Sequence, residues 1–241
     1  LVLVDVPGEA RVSGNLDSFE IGALEASKFS ARDSFEDFPV VFSTRFKNEG
    51  NVHLKPTGKI EIVDENGEIL KGIGKEAVLS PQGAYVGEKL VDYVPVNDGL
   101  GNVLPNSERR FESKWEGFGY QVLNENGTKT VSFKGLSEYY ADKAAEKRQY
   151  LKFYESVHTR TVTKTFAAKL SLSYEGKDKV KKDFEETKTF DVSYEEQYVG
   201  MNFLVILLVL AVLGSFGYYV FIAAPKAKEK LKQEILASMK K

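Results

Sequence analysis

Twenty-six consecutive residues, Val199 to Ala224, carry no charge. About 20 apolar residues at ~1.5 Å rise are enough to cross a hydrocarbon core of roughly 30 Å. A surface helix of this length in a soluble protein would show a polar face. The run therefore predicts one transmembrane helix over 199–224, with Phe203, Leu207, Leu210, Ala211, Ser215 and Tyr218 among its lipid-level residues. Tyr198 stands at one edge, and Tyr218, Tyr219 and Phe221 near the other. Tyrosine suits the headgroup level because its ring is apolar and its hydroxyl seeks water. Pro225 is expected to stop the helix or mark its exit, since proline has no amide hydrogen to give. Ala211, Gly214, Ser215 and Gly217 are small enough to let a second helix approach.

Beyond the run, the tail 225–241 holds six lysines, Lys226, Lys228, Lys230, Lys232, Lys240 and Lys241, against two glutamates. The opposite flank, Tyr194–Tyr198, carries Glu195 and Glu196. Lysine excess marks the cytoplasmic side of a span. The expected topology is thus a single-pass protein of a cell membrane, with residues 1–198 extracytoplasmic and the tail cytoplasmic. The lipid bilayer is its first partner. The tail reads as a topology signal, or else as a short amphipathic helix whose Leu231, Ile235 and Leu236 touch lipid.

The outer part has 27 basic and 33 acidic residues, which argues against nucleic acid as a partner. It contains no cysteine, so core packing and hydrogen bonds must hold it without disulfides. That usage suits a prokaryotic envelope. The chain opens on Leu1 with no signal peptide ahead of it, and an outward N-terminus needs one, so a processed or truncated chain is expected. Residues 1–22 read as two strands, the end of a preceding β domain or an N-terminal hairpin that pairs with the main one.

From 23 to 198 the dominant period is two. In Val40–Phe46, Phe42, Thr44 and Phe46 share one face, and Val41, Ser43 and Arg45 the other. Lys59–Val63 alternates and leads into Asp64-Glu65-Asn66-Gly67, a turn signal. Phe111, Ser113 and Trp115 alternate with Arg110, Glu112 and Lys114. Val162, Phe166, Ala168, Leu170, Leu172 and Tyr174 point one way, as do Phe190, Val192 and Tyr194. Short alternating strands between turns predict a β-sandwich. One stretch differs: 137–157 is rich in helix formers, lacks Gly and Pro, and offers Ser137 as a cap. It predicts an inserted helix that either caps the sandwich or binds a partner.

Two segments are more specific. The first is Phe46-Lys47-Asn48-Glu49-Gly50-Asn51-Val52-His53-Leu54-Lys55-Pro56-Thr57-Gly58-Lys59-Ile60. The second is Gly101-Asn102-Val103-Leu104-Pro105-Asn106-Ser107-Glu108-Arg109-Arg110-Phe111, followed by Trp115. Together they resemble an Ig-like domain of envelope proteins from bacteria of the candidate phyla radiation. They are more distantly similar to WxL-interacting surface proteins of Gram-positive bacteria. The resemblance covers roughly 38–118 well and 162–194 loosely, and 119–160 departs from it. It implies an Ig-like β-sandwich outside, a membrane helix near the C-terminus, and a structural or interaction role without catalytic residues. In physical terms, the Asn and Gly residues of both segments suit turns between strands.

The residues offer little chemistry. Cysteine nucleophiles and thiolate metal sites are excluded by composition. His53 and His158, the two histidines, stand too far apart in sequence for a short-spaced zinc pair. No nucleophile elbow or phosphate loop occurs. Carboxylates such as Asp92, Asp98 and Glu116 read as solvated surface. Asn126-Gly127-Thr128 fits both a glycosylation sequon and a turn. Tyr85, Tyr93, Trp115, Phe118 and Tyr120 are a conceivable sugar platform, with core or rim packing the plainer reading.

The expectation is a mainly β protein: an Ig-like β-sandwich with an inserted helix and one C-terminal transmembrane α-helix. It is expected to be non-enzymatic, without cofactor or metal, and to interact with another envelope protein or a second copy of itself. Asn51, His53 and Asn102 in the motif loops, and Tyr140, Lys147 and Tyr154 on the inserted helix, are the candidate partner-binding residues. Cell-wall glycan, bound by a tethered module, is the alternative partner; an envelope hydrolase is disfavoured.

Overall fold

The computed structural model describes residues 9–36, 38–125, 127–139, 141, 155–176 and 180–238. The chain divides into two compact units: residues up to 142 with 161–196, and residues 143–160 with 197–241.

The first unit is built from β-strands in three sheets, two strands of which extend into the residues of the second unit. One sheet has the order β2-β1-β4-β9, formed by β1 (Gly14–Glu25), β2 (Lys28–Ala31), β4 (Val40–Asn48) and β9 (Ser107–Trp115). A second runs β3-β13-β12-β5-β8, from β3 (Ser34–Phe35), β5 (Thr57–Val63), β8 (Val94–Val96), β12 (Glu155–Glu175) and β13 (Lys181–Met201). The third runs β10-β11-β7-β6, from β6 (Gly74–Leu79), β7 (Tyr85–Val91), β10 (Phe118–Leu123) and β11 (Lys129–Lys134). The chain is thus mainly β.

The alternation read in the sequence is the reason the first two sheets share a core. Phe19, Phe42, Phe46, Phe111 and Trp115 come from the first sheet, and Ile60, Ile62, Phe166, Leu170, Leu172, Phe190 and Val192 from the second; all belong to one buried cluster. Burying each such side chain contributes about 1.5–3 kcal/mol. Trp115 is its centre, with ring centroids of Phe38, Phe166 and Phe190 at 4.7, 5.3 and 6.0 Å. Its indole Nε1 donates to the Gly117 carbonyl at 2.9 Å, so the ring is buried without an orphan donor.

Of the two readings of the N-terminal strands, β1 follows the second and pairs with the main domain. It pairs antiparallel with β4 from Gly14 opposite Asn48 to Gly22 opposite Val41, and the expected boundary at residue 22 falls inside it. Phe19, Ile21 and Ala23 are buried in the common core, which is what recruits the strand. Residues 1–8 lie outside the described residues.

β4 departs from its alternating pattern. Val41 and Ser43, on the opposite face, are as buried as Phe42 and Thr44. β4 lies between β1 and β9, the inner position of its sheet. The hydroxyls of Ser43 and Thr44 have no hydrogen-bond partner among the described residues.

The predicted turns are present. Asp64 Oδ1 accepts from the amides of Asn66 and Glu68, both at 2.9 Å, and Gly67 takes φ +82°. These amides hold the Asp64 carboxyl below its usual range, Glu68 first. Between β10 and β11, Gly127 takes φ +79° and its amide reaches the Asn124 carbonyl at 2.9 Å.

The expected helix over 137–157 is only partly accounted for. Residues 136–139 and 141 are helical, 140 and 142–154 lie outside the described residues, and from Glu155 the chain is strand. Ser137 is not the cap. Its hydroxyl lies inside the helical turn and accepts from the Glu195 amide at 3.1 Å, while the Tyr139 amide reaches back to Gly135.

In the second unit, β13 continues as strand through Met201, so the helix begins at Phe203 rather than 199. Asn202 caps it, its side-chain oxygen accepting from the Leu204 amide at 3.0 Å. Helical structure then runs unbroken to Ser238, and Pro225 does not stop it. The reason is a π-helical turn, Tyr219–Ala223, just before the proline. Proline lacks the amide that would bond the carbonyl four residues back, and its ring crowds that carbonyl. A wider turn, in which the Ala224 amide bonds to the Tyr219 carbonyl, accommodates it.

Candidate functional site

The two motif segments meet. Leu54 and Val103 exchange both backbone hydrogen bonds, at 3.1 and 2.8 Å. Asn48, at the end of β4, is fully buried behind this bridge. Its Nδ2 donates to the carbonyls of Val52 at 2.7 Å and Val103 at 3.0 Å, while its Oδ1 accepts from the Gly50 amide at 2.9 Å. Asn97, at φ +56°, does the same for the following loop. It donates to Pro56 and Gly101 carbonyls and accepts from the Gly101 amide. Asn48 and Asn97 thus replace backbone partners where the chain is irregular.

Of the residues singled out for partner binding, Asn51 uses its side chain internally. Its Oδ1 accepts from the Arg11 amide at 2.6 Å and its Nδ2 donates to the Glu9 carbonyl at 3.0 Å, pinning residues 9–11 to the motif loop. His53 and Asn102 are exposed on the two bridged loops, and the Asn102 carbonyl accepts from Arg109 at 2.8 Å. Tyr140, Lys147 and Tyr154 lie outside the described residues.

A groove of about 440 Å³ is lined by Thr57, Lys59, Glu76, Tyr93, Ser171 and Phe184 among others. Among them Glu76 accepts a hydrogen bond from the Tyr93 hydroxyl and pairs with Lys89 at 2.8 Å. Lys89 and then Tyr93 hold the Glu76 carboxyl below its usual range. The same contact pushes the Tyr93 hydroxyl up to about 12. At neutral pH Glu76 is therefore ionised and Tyr93 protonated, each committed to the other. Such a pair joins β6 to the segment after β7; it is not poised for proton transfer. Among the described residues no three acids or histidines converge as metal ligands. Trp115, buried in the core, is no part of a sugar platform, whereas Tyr85 and Tyr120 are exposed.

The third sheet has a feature that the alternation did not reveal. Leu79, Tyr85, Val86 and Leu123 are 49–68% exposed. Leu79 pairs with Tyr85, and Gly87, next to Val86, pairs with Lys129, itself opposite Leu123. The four therefore line one end of one sheet, beside the turns at 80–84 and 124–128. Large apolar side chains left exposed at one end of a sheet make it a candidate interaction surface. The available signal was a large apolar residue directly flanking each turn, where polar residues are usual.

In the second unit, the ring of Tyr198 lies against that of His158 at 5.6 Å, with the Arg160 guanidinium 5.1 Å from its centroid. His158 Nε2 is 2.8 Å from the Ser156 hydroxyl. Gly200 leaves room for the imidazole, since a Cβ there would stand 2.8 Å from it. After Asn202 comes the most apolar stretch of the chain. None of the helix's most apolar stretch is buried. Phe203, Leu207, Leu210 and Tyr218 are exposed. The Ser215 hydroxyl is satisfied within the helix by the Ala211 carbonyl at 2.8 Å, so it requires no partner helix. Among the described residues, one helix is thus long and apolar enough to span a membrane.

No protein-family model matches the chain, and no curated protein matches it.

Proposed function

We propose that this chain is a non-enzymatic, membrane-anchored envelope protein whose β-sandwich, of Ig-like type, is presented outside the cell to a protein partner. The observation that carries this reading is the uncovered apolar helix Phe203–Leu236, none of whose apolar window is buried. Lipid is the solvent that such a surface requires. Lysine excess after the span and glutamates before it favour an extracytoplasmic sandwich. The end of the third sheet, with Leu79, Tyr85, Val86 and Leu123, is the surface that we assign to the partner. An apolar patch of this kind suits a protein with a matching apolar face better than a glycan, which demands polar hydrogen-bonding neighbours.

Two measurements test it. Alkaline extraction and protease protection of native membranes should leave the chain in the pellet, with the sandwich digested from outside. A photo-crosslinking amino acid at Tyr85 or Leu123 should then yield discrete protein adducts, absent with the probe at Asn51. Release of the chain at alkaline pH defeats the anchor. Adducts to wall glycan, or equal labelling from all three positions, defeat the assigned surface.

A further inference from the structure

We infer that the exit of the apolar helix binds anionic phospholipid headgroups on two opposite sides, through Lys226, Lys228, Lys230 and Lys232. This rests on the membrane-anchored reading and goes on to name the lipid.

The argument starts from the helix continuing where it was expected to stop. The π-turn before Pro225 lets Ala224–Ser238 follow as regular α-helix, so the four lysines have defined directions. At ~100° per residue, a spacing of two residues places successive lysines on nearly opposite sides of the helix. Lys226 and Lys230 fall on one side, and Lys228 and Lys232 on the other. A helix lying flat on a bilayer has its lysines on one polar face, flanking an apolar one. This pattern is different: it has charge on opposite faces, which suits a helix that stands upright and is surrounded by headgroups.

The depth also agrees. The lysines follow Ala224 by two to eight residues, or about 3 to 12 Å along the axis. That interval covers the headgroup layer and lies within about one Debye length of it. All four are exposed, and among the described residues none of them forms an ion pair, although Glu229 lies in their midst. Their charge is thus available to phosphate. Serine, threonine or backbone donors do not compete at this level, so charge complementarity favours an acidic over a zwitterionic headgroup.

The test uses the full chain reconstituted in bilayers of phosphatidylcholine with one-fifth phosphatidylglycerol. Alkaline-resistant incorporation is checked first, so that failure of the anchor is seen separately. Spin-labelled phosphatidylglycerol and phosphatidylcholine are then compared for the fraction held immobile by the protein. We expect phosphatidylglycerol to be preferred about fivefold at low salt, falling towards unity at high salt. The variant K226Q/K228Q/K230Q/K232Q should insert equally well and lose the preference. Each half variant, K226Q/K230Q or K228Q/K232Q, should lose about half of its logarithm. Equal immobilisation of the two lipids by the wild type overturns the proposal and leaves the lysines to a soluble acidic partner. Full preference in the quadruple variant overturns it as well. Loss of the whole preference in one half variant overturns the two-sided arrangement.

Discussion

Asn48 Nδ2 donates to the carbonyl of Val103, 55 residues further on, at 3.0 Å. Both groups are buried, and the bond joins the end of β4 to the loop that leads into β9.

Asn48→Ala should therefore cost far more than a loop asparagine normally does. It strands the carbonyls of Val52 and Val103 and the amide of Gly50 away from water. Each unmet group costs about 1–3 kcal/mol, and partial rehydration keeps the total near 2–4 kcal/mol. Asn48→Asp should not rescue it, because a carboxylate accepts from Gly50 but has nothing to donate to the two carbonyls. Urea denaturation of the full chain in micelles, followed by the fluorescence of Trp115, the one tryptophan, reads this directly. An unchanged midpoint would refute the latch.

The Glu76–Tyr93 contact makes stability depend on pH at both ends. The Glu76 carboxyl is held below its usual range when folded, so its contribution is present above pH ~4.5 and is lost as pH falls through the folded value. The Tyr93 hydroxyl is raised from 10.0 to about 12, so its contribution is full below pH 10 and disappears as pH rises towards 12. Glu76→Gln should flatten the acid limb and lower the alkaline one. Tyr93→Phe should remove the Tyr93 part of the alkaline limb and leave most of the acid limb, since Lys89 still pairs with Glu76. Melting temperatures from pH 3 to 11 distinguish these outcomes. Identical profiles for wild type and Tyr93→Phe above pH 9 would count against the contact.

Thr44→Val should stabilise the protein. The Thr44 hydroxyl is buried, with no partner among the described residues. Replacing it with a methyl group of similar shape removes an unmet donor, a gain of about 1 kcal/mol. The same denaturation assay should show a higher midpoint with an unchanged slope; a lower midpoint would mean that the hydroxyl is satisfied.

Pro225→Ala should close the π-turn. Residue 225 then has an amide for the Phe221 carbonyl, and the reason for the wide turn at Tyr219–Ala223 is gone. The helix after the turn should rotate about its axis relative to the span. Distances between spin labels at Phe216 and Lys228, measured in bilayers, should shift and narrow in the variant. An unchanged distribution would show that the π-turn has another cause.

How far the sequence was readable depends on which force decides each element. Phe111, Ser113 and Trp115, or Phe166 to Tyr174, point inward because burial on one face of a strand imposes period two. That signal is local and was legible. Val41 and Ser43 were not, because their burial comes from neighbours in space on the other side of β4. Asn48 belongs to a recognisable turn segment, yet its link to Val103 depends on a loop that the chain reaches 55 residues later. Pro225 carries a strong stop signal, overridden here by a change of helical pitch one turn earlier. For Leu79, Tyr85, Val86 and Leu123, neither period nor charge distinguished a surface patch from part of the core; strand pairing was needed to place them at one sheet end.

Only Asn202 separates the last residue of β13 from the first residue of the helix. A pull on the helix therefore enters the protein through Met201, along the axis of a 21-residue strand hydrogen-bonded to β12. Ladder bonds lie across the strand, so axial load shears many of them together instead of peeling them one by one. The segment before the helix is thus strand rather than slack coil, and a load applied to it is borne by ladder hydrogen bonds.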